Sequence, residues 1–327
     1  MDELVVVKDL KKWFTVRAGL FTRRKARYIR AVDGVSFSIR RGEIFCLAGE
    51  SGCGKTTTGR SLLRLEEPTS GEVTFDGVNV FALDRTGLKT FRRQAQIIFQ
   101  DPYESLDSRM AVFDSVAEGL VVNKIGAGRS ERIKLVSEAL EEVGLTPTEE
   151  FIFRYPHELS GGQRQRVAIA AAMILRPKFI VADEPVSMLD MSTRGSIVKL
   201  LMDLQKTMQL TFLFITHDLP LMKYISDRIA IMYLGKIVEM GPSEELIDNP
   251  YHPYSQALIS AVPSPDPDES MREVKIKGDI SLSLEATPGC RFASRCPYAS
   301  EKCQETEPEL LEIRKNRYLA CHKMKRH

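Results

Sequence analysis

Residues 4–7 (LVVV) form a short apolar run, and in 31–39 (AVDGVSFSI) apolar and polar positions alternate. The apolar run and the period of two each predict a strand. The basic run between them, Arg23-Arg24-Lys25-Ala26-Arg27, is expected at a solvated hairpin tip. Residues 44–48 (IFCLA) are continuously apolar, as in a strand buried on both faces, and run straight into a glycine-rich turn. From Thr56 onward (TTTGRSLLRL) the spacing becomes helical. Residues 71–81 predict a small hairpin, and 101–177 a mostly helical segment with breaks at 126–130 and 146–148. Two further buried-type strands follow at 179–182 (FIVA) and 211–215 (TFLFI), then a hairpin from 228–232 and 236–240. Short apolar strands separated by helices place the chain in the α/β class, with a mainly parallel sheet covered on both faces.

The texture changes after Gly241. Pro250, Pro253, Pro263, Pro265 and Pro267 punctuate a segment that ends in a cluster of cysteines, so a main domain over 1–245 and an extension over 246–327 are expected. The 46 basic and 44 acidic residues leave a net charge of +2, which gives no reason to expect a nucleic-acid partner. No stretch approaches the roughly 20 apolar residues that span a bilayer. The start, MDELVVVKDLKKW, lacks the basic and apolar regions of a signal peptide. A soluble cytoplasmic chain is expected, with any membrane role supplied by a partner.

Residues 49–56 (GESGCGKT) match G-x-x-x-x-G-K-[ST] between a predicted strand and a predicted helix. Gly49, Gly52 and Gly54 let backbone N–H groups of the turn, with Ser51 among them, point at phosphate oxygens ahead of a helix N-terminus that carries Thr57. Lys55 supplies a charge to the β and γ phosphates, and the Thr56 hydroxyl suits Mg²⁺. Asp183 and Glu184 end the strand at 179–182, where Asp183 suits the Mg²⁺ shell and Glu184 a general base for the attacking water. His217 follows the third buried strand and is expected to meet the γ-phosphate.

These residues resemble the ATP-binding-cassette ATPases. Leu159-Ser160-Gly161-Gly162-Gln163 is similar to that family's signature motif, at the start of a helix. The resemblance implies a P-loop NTPase with a RecA-like core, an antiparallel β subdomain, a helical signature subdomain at about 101–177 and a small C-terminal extension. It also implies a head-to-tail pair of such subunits, each ATP lying between one subunit's 49–56 loop and the other's Ser160, Gly162 and Gln163. Gln100 resembles the Q-loop glutamine near Mg²⁺ and the attacking water, and Ser187-Met188-Leu189-Asp190 resembles the D-loop. By position, Phe14 matches the aromatic that stacks on adenine, with Tyr28 as the alternative. Two-cassette translation factors and coiled-coil repair proteins of the family do not match a chain of this plan.

Asp101-Pro102-Tyr103-Glu104-Ser105-Leu106, Asn249-Pro250-Tyr251-His252-Pro253-Tyr254-Ser255 and the tail at 289–322 resemble the dipeptide/oligopeptide importer ATPases, the second of their two paired types. This implies a paired paralogous ATPase, two transmembrane permease subunits, an extracytoplasmic solute-binding protein and a peripheral place on the cytoplasmic face of the membrane. Oligosaccharide and nickel importers share the cassette type. Cys290, Cys296, Cys303 and Cys321 are spaced C-x5-C-x6-C-x17-C, without the C-x2-C pairs of most structural zinc sites. Four thiolates with Pro297 beside one of them suit a [4Fe–4S] cluster, its charge offset by Arg291 and Arg295; some members of the resembled group carry one. Zinc, and plain thiols or a disulfide, are the alternatives.

Overall fold

β1 (Glu3–Val16) and β2 (Arg27–Arg40) pair antiparallel, with Val7 opposite Phe37 and Phe14 opposite Ile29. The computed structural model describes residues 2–16, 27–101, 105–261 and 288–323. The expected basic hairpin tip therefore lies outside the described residues, apart from the backbone of Arg27. Leu4, Val5, Val7, Leu10 and Val32 are buried, and along β2 the alternate positions Val35, Phe37 and Ile39 are too. β3 (Ile44–Ala48) is buried at every position and leads through residues 49–54 into α1 (Lys55–Leu62). β4 (Ser70–Phe75) pairs with β1 and with the two-residue β5 (Val78–Asn79), giving an antiparallel sheet in the order β2-β1-β4-β5.

The chain forms two compact units, and residues 82–214 make the second. α2 (Arg85–Gln94) starts at Asp84, whose carboxylate accepts from the N–H of Gly87, and delivers the chain to β6 (Ala95–Ile98). α3 (Val112–Val122), α4 (Arg129–Glu142) and α5 (Gly161–Met173) pack on one another through Val116, Leu120, Val136, Leu140, Val167 and Ile169, all buried. β7 (Phe179–Asp183) is buried throughout and pairs parallel with β6. After α6 (Met191–Met208), β8 (Thr211–Thr216) runs beside β7 and carries the chain back to the first unit.

There α7 (Leu219–Ile225) precedes the hairpin of β9 (Arg228–Tyr233) and β10 (Lys236–Pro242). β9 lies parallel to β3, with Cys46 opposite Ile229. α8 (Ser243–Asp248), α9 (Pro253–Ser260) and α10 (Glu301–Glu305) are short. β11 (Leu311–Arg314) and β12 (Arg317–Leu319) then extend the β3 sheet, in the order β11-β12-β10-β9-β3. The tail thus joins the β3 sheet instead of standing apart. Arg317 fixes it there: its Nη2 lies 2.6 Å from Glu239 Oε1, and neither side chain is exposed to solvent.

Candidate nucleotide site

In the first unit the 49–56 turn has the backbone its motif demands. Gly49 and Gly54 have φ of 150° and 108°, and Gly54 is the N-cap of α1. A Cβ on Gly54 would lie 2.0 Å from the carbonyl oxygen of Ala31, and one on Gly49 would lie 2.2 Å from that of Met232. Only glycine fits either place. Lys55 is 4% exposed, and its Nζ donates to the carbonyl oxygens of Gly49 and Glu50 at 2.8 and 3.0 Å. The ammonium is thus already folded back over the turn, where an anion on the loop would meet it. Ser51 and Gly52 are exposed at the tip, and Thr56 and Thr57 are half-buried on the first turn of α1. Cys46 and Cys53 are buried, and burial raises both thiols above their ordinary range.

The first unit also carries Phe14, Tyr28 and His217. Along β1, Phe14 shares a face with Lys12, whose ammonium lies 4.7 Å from the Phe14 ring centre and 3.2 Å from Glu66, just past α1. Tyr28 packs on the opposite face, 6.2 Å from the ring of Trp13. The two aromatics therefore cannot serve one adenine together. His217 is exposed directly after β8, next to Asp218, whose carboxylate caps α7 through the N–H of Leu221 at 3.1 Å.

In the second unit the parallel register of β6 and β7 puts Ile98 opposite Ala182. Two residues beyond each, the side-chain amide of Gln100 donates to Glu184 Oε2 at 3.3 Å. Asp183 is 2% exposed at the end of β7, and Glu184 holds a φ of 46°, a left-handed conformation that a non-glycine residue adopts at a cost. Ser160 and Gln163 close a capping box on α5: Ser160 Oγ accepts from the N–H of Gln163, and Gln163 Oε1 from that of Ser160 at 2.9 Å. A Cβ on Gly162 would lie 2.6 Å from Thr193 Cγ2, so the signature turn abuts the start of α6. Asp190 caps that helix. Hydrogen bonds from the Ser192 and Thr193 hydroxyls and the Thr193 N–H hold its carboxyl well below the usual range. Of the stretch 101–106, residues 102–104 lie outside the described residues.

The expected iron–sulfur cluster is not supported. Among the described residues, which include all four tail cysteines, no group of three or more His, Cys, Asp or Glu could hold a metal ion. Cys290, Cys296, Cys303 and Cys321 border one small cavity of about 140 Å³ as thiols, and no disulfide joins them. Burial pushes the Cys290 thiol up to about 11, and Cys303, Cys321 and Cys296 add to the rise, so the environment favours a neutral thiol over the thiolate a cluster needs. The same finding removes zinc. Nor do the two arginines face a cluster: Arg291 pairs with Asp33, and Arg295 with Glu50 at 3.0 and 3.3 Å. The sequence reading missed Glu50, Arg295 and Tyr254 as neighbours of the phosphate loop. The one signal available was an acid, Glu50, inside that loop, with arginines at 291 and 295 in the tail.

The ABC transporter family matches residues 32–187, and the oligopeptide/dipeptide transporter C-terminal region matches 238–303. The oligopeptide transport ATP-binding protein OppF of Bacillus subtilis is 50% identical over 94% of this chain and 98% of its own length. AppF of the same organism, with the same description, is 44% identical over 98% and 97%. Among solved structures, the dimeric post-hydrolysis state of the ATP-binding cassette MJ0796, bound to ADP and Pi, superposes with a TM-score of 0.64 at 32% identity, over 73% of this chain and 98% of that one. CbiO1 from Clostridium perfringens, part of an ABC transporter complex, gives 0.63 at 29% identity over 76% and 92%. A glycine turn of this shape, a capped signature helix and relatives of this closeness leave one reading: the chain belongs to the ATP-binding-cassette transporter family, among the ATP-hydrolysing subunits that carry the oligopeptide/dipeptide transporter C-terminal region.

Proposed function

We propose that this chain binds and hydrolyses ATP to drive a di- or oligopeptide importer from the cytoplasmic face of the membrane, as a peripheral subunit. The observation that carries the hydrolytic part is the Gln100–Glu184 hydrogen bond beside the buried Asp183. Glu184 takes the role of general base for the attacking water, and Gln100 orients that carboxylate. Lys55 and the amides of the 49–54 turn hold the β and γ phosphates, and His217 senses the γ-phosphate. Thr56, Asp183 and Gln100 would hold Mg²⁺, which would offset phosphate charge when bound. The buried carboxylate of Asp183 and the half-buried Thr56 hydroxyl suit such a hard cation. Adenine stacks on Phe14, the aromatic on the α1 side of the β1–β2 ribbon.

A partner cassette completes the site. Ser160, Gly162 and Gln163 present a helix N-terminus free of acidic residues, suited to a nucleotide held by the other subunit, with Asp190 alongside. A paired paralogue is the partner this reading favours. Residues 1–245 then form the motor and 246–327 its extension, with 101–177 as the helical subdomain. No described helix is long and apolar enough to cross a membrane. In this reading two permease subunits span it. A groove of about 870 Å³ in the second unit, lined by Leu88, Phe99, Leu106, Met110, Val122 and Leu175, suits a short helix from a permease. Solute reaches those subunits from an extracytoplasmic binding protein and never touches this chain.

The test is ATP turnover in proteoliposomes that hold the complete transporter and its solute-binding protein. Short peptides should stimulate hydrolysis and accumulate inside. Stimulation by an oligosaccharide or nickel, and not by peptides, would replace the peptide assignment and keep the motor. Turnover unaffected by the permeases would sink the transport reading.

A further inference from the structure

The tail reaches the phosphate loop. Arg295 lies in the turn that follows Cys290 and is 8% exposed. Its guanidinium forks onto both carboxylate oxygens of Glu50, at 3.0 and 3.3 Å, while lying 5.8 Å over the Tyr233 ring. Glu50 is the second residue of the loop, and its backbone N–H donates to the Tyr254 hydroxyl at 2.9 Å. Tyr254 belongs to α9, is fully buried, and packs with Tyr233 and Phe292. A second route runs through the β9–β10 turn. Arg291 donates to the Leu234 carbonyl oxygen, and the Gly235 N–H donates to the carbonyl oxygen of Cys53 in the loop at 2.8 Å. The Glu50 carbonyl oxygen also accepts from Lys55 Nζ. Two elements of the extension, α9 and the 290–296 turn, therefore hold one loop, the turn directly through Arg295 and by way of the β9–β10 turn through Arg291.

We infer that the C-terminal extension positions the phosphate loop for ATP, with Arg295 and Tyr254 acting through Glu50 as positioning residues. A planar guanidinium that binds both oxygens of one carboxylate fixes orientation as well as distance. The Tyr254 hydroxyl occupies the Glu50 amide and so settles which way that peptide faces. Loss of either anchor frees the 49–54 turn to sample shapes that bind phosphate less well, and ATP affinity falls by the share of time spent in them. Coupling of this kind is reciprocal, so bound ATP tightens the 290–296 turn in return.

This inference rests on 49–56 being the phosphate loop, and the experiment separates the two. Lys55→Ala tests the loop: Mg·ATP binding at wild-type affinity there would remove the loop assignment itself. Arg295→Gln, Glu50→Gln and their double variant test the extension in the full chain, by the KM for Mg·ATP, by kcat, and by hydrogen exchange at 290–296. Each single variant should raise KM at least about threefold with a smaller change in kcat, and the double variant should match the worse single. Mg·ATP should slow exchange at 290–296 in the wild type and not in Glu50→Gln, a readout that general destabilisation would not supply. If Arg295→Gln does not fold, Tyr254→Phe, which deletes one hydroxyl, takes its place beside Glu50→Gln. Folded variants with wild-type KM, or a double variant whose effects simply multiply, overturn the inference.

Discussion

The Gln100 side-chain amide donates to Glu184 Oε2 at 3.3 Å, bridging the ends of two adjacent parallel strands. That contact follows from register, since each residue stands two places beyond a pair, Ile98 and Ala182, that sit opposite each other. A carboxylate oriented by an amide can accept a proton from the attacking water. Glu184→Gln removes the proposed base and keeps the shape of the side chain. Hydrolysis should fall by about 10²–10⁴-fold, the usual range for a lost general base. Binding of a fluorescent ATP analogue should persist. Phosphate release at the wild-type rate would remove Glu184 from the chemistry.

Gly54 tests the loop by shape alone. With φ at 108° and a Cβ that would fall 2.0 Å from the Ala31 carbonyl oxygen, Gly54→Ala must push β2 and the start of α1 apart. Backbone strain of this kind costs about 1–3 kcal/mol before any clash is counted. Gly54→Ala should therefore melt several degrees lower and lose ATP binding together. Gly128→Ala is the control, because an alanine there meets no atom within 4 Å and the backbone is extended at φ −176°. Equal melting of the two variants would contradict the tight approach of β2 to the loop.

The strands that carry the site were legible because they are short, apolar and buried at every position, as β3 and β7 are. The loop was legible because a glycine turn has few sequences. Long-range packing was not. β1 runs on to Val16 through Lys8, Lys11 and Lys12, since a strand beside solvent tolerates lysines that hide its period. β11 and β12 were missed because the alternation in Leu311, Glu312, Ile313 and Arg314 spans only four residues, and because pairing with β10 depends on Arg317 meeting the buried Glu239. The cysteine spacing suggested a metal, yet spacing along the chain says nothing about whether thiols converge or ionise. Among the described residues no group that could hold a metal ion forms, and that is a property of the fold.

His252 gives the extension a pH dependence of calculable sign. It caps α9, where its Nδ1 accepts from the N–H of Tyr254 at 3.0 Å, which requires an unprotonated Nδ1. Burial lowers its pKa from 6.5 to about 4, so the native chain refuses a proton that the unfolded chain accepts. Between those two values the unfolded state binds more protons, and stability must fall as pH drops from 6.5 to about 4. Below that window both states are protonated and the loss levels off, at about 3 kcal/mol. His252→Asn keeps an acceptor at the cap and removes the titration. Denaturant unfolding should show the wild type losing stability relative to His252→Asn as pH falls from 6.5 toward 4, with a constant difference above that range. Parallel curves across the whole range would mean that His252 is protonated at its ordinary pH, with the α9 cap made in some other way.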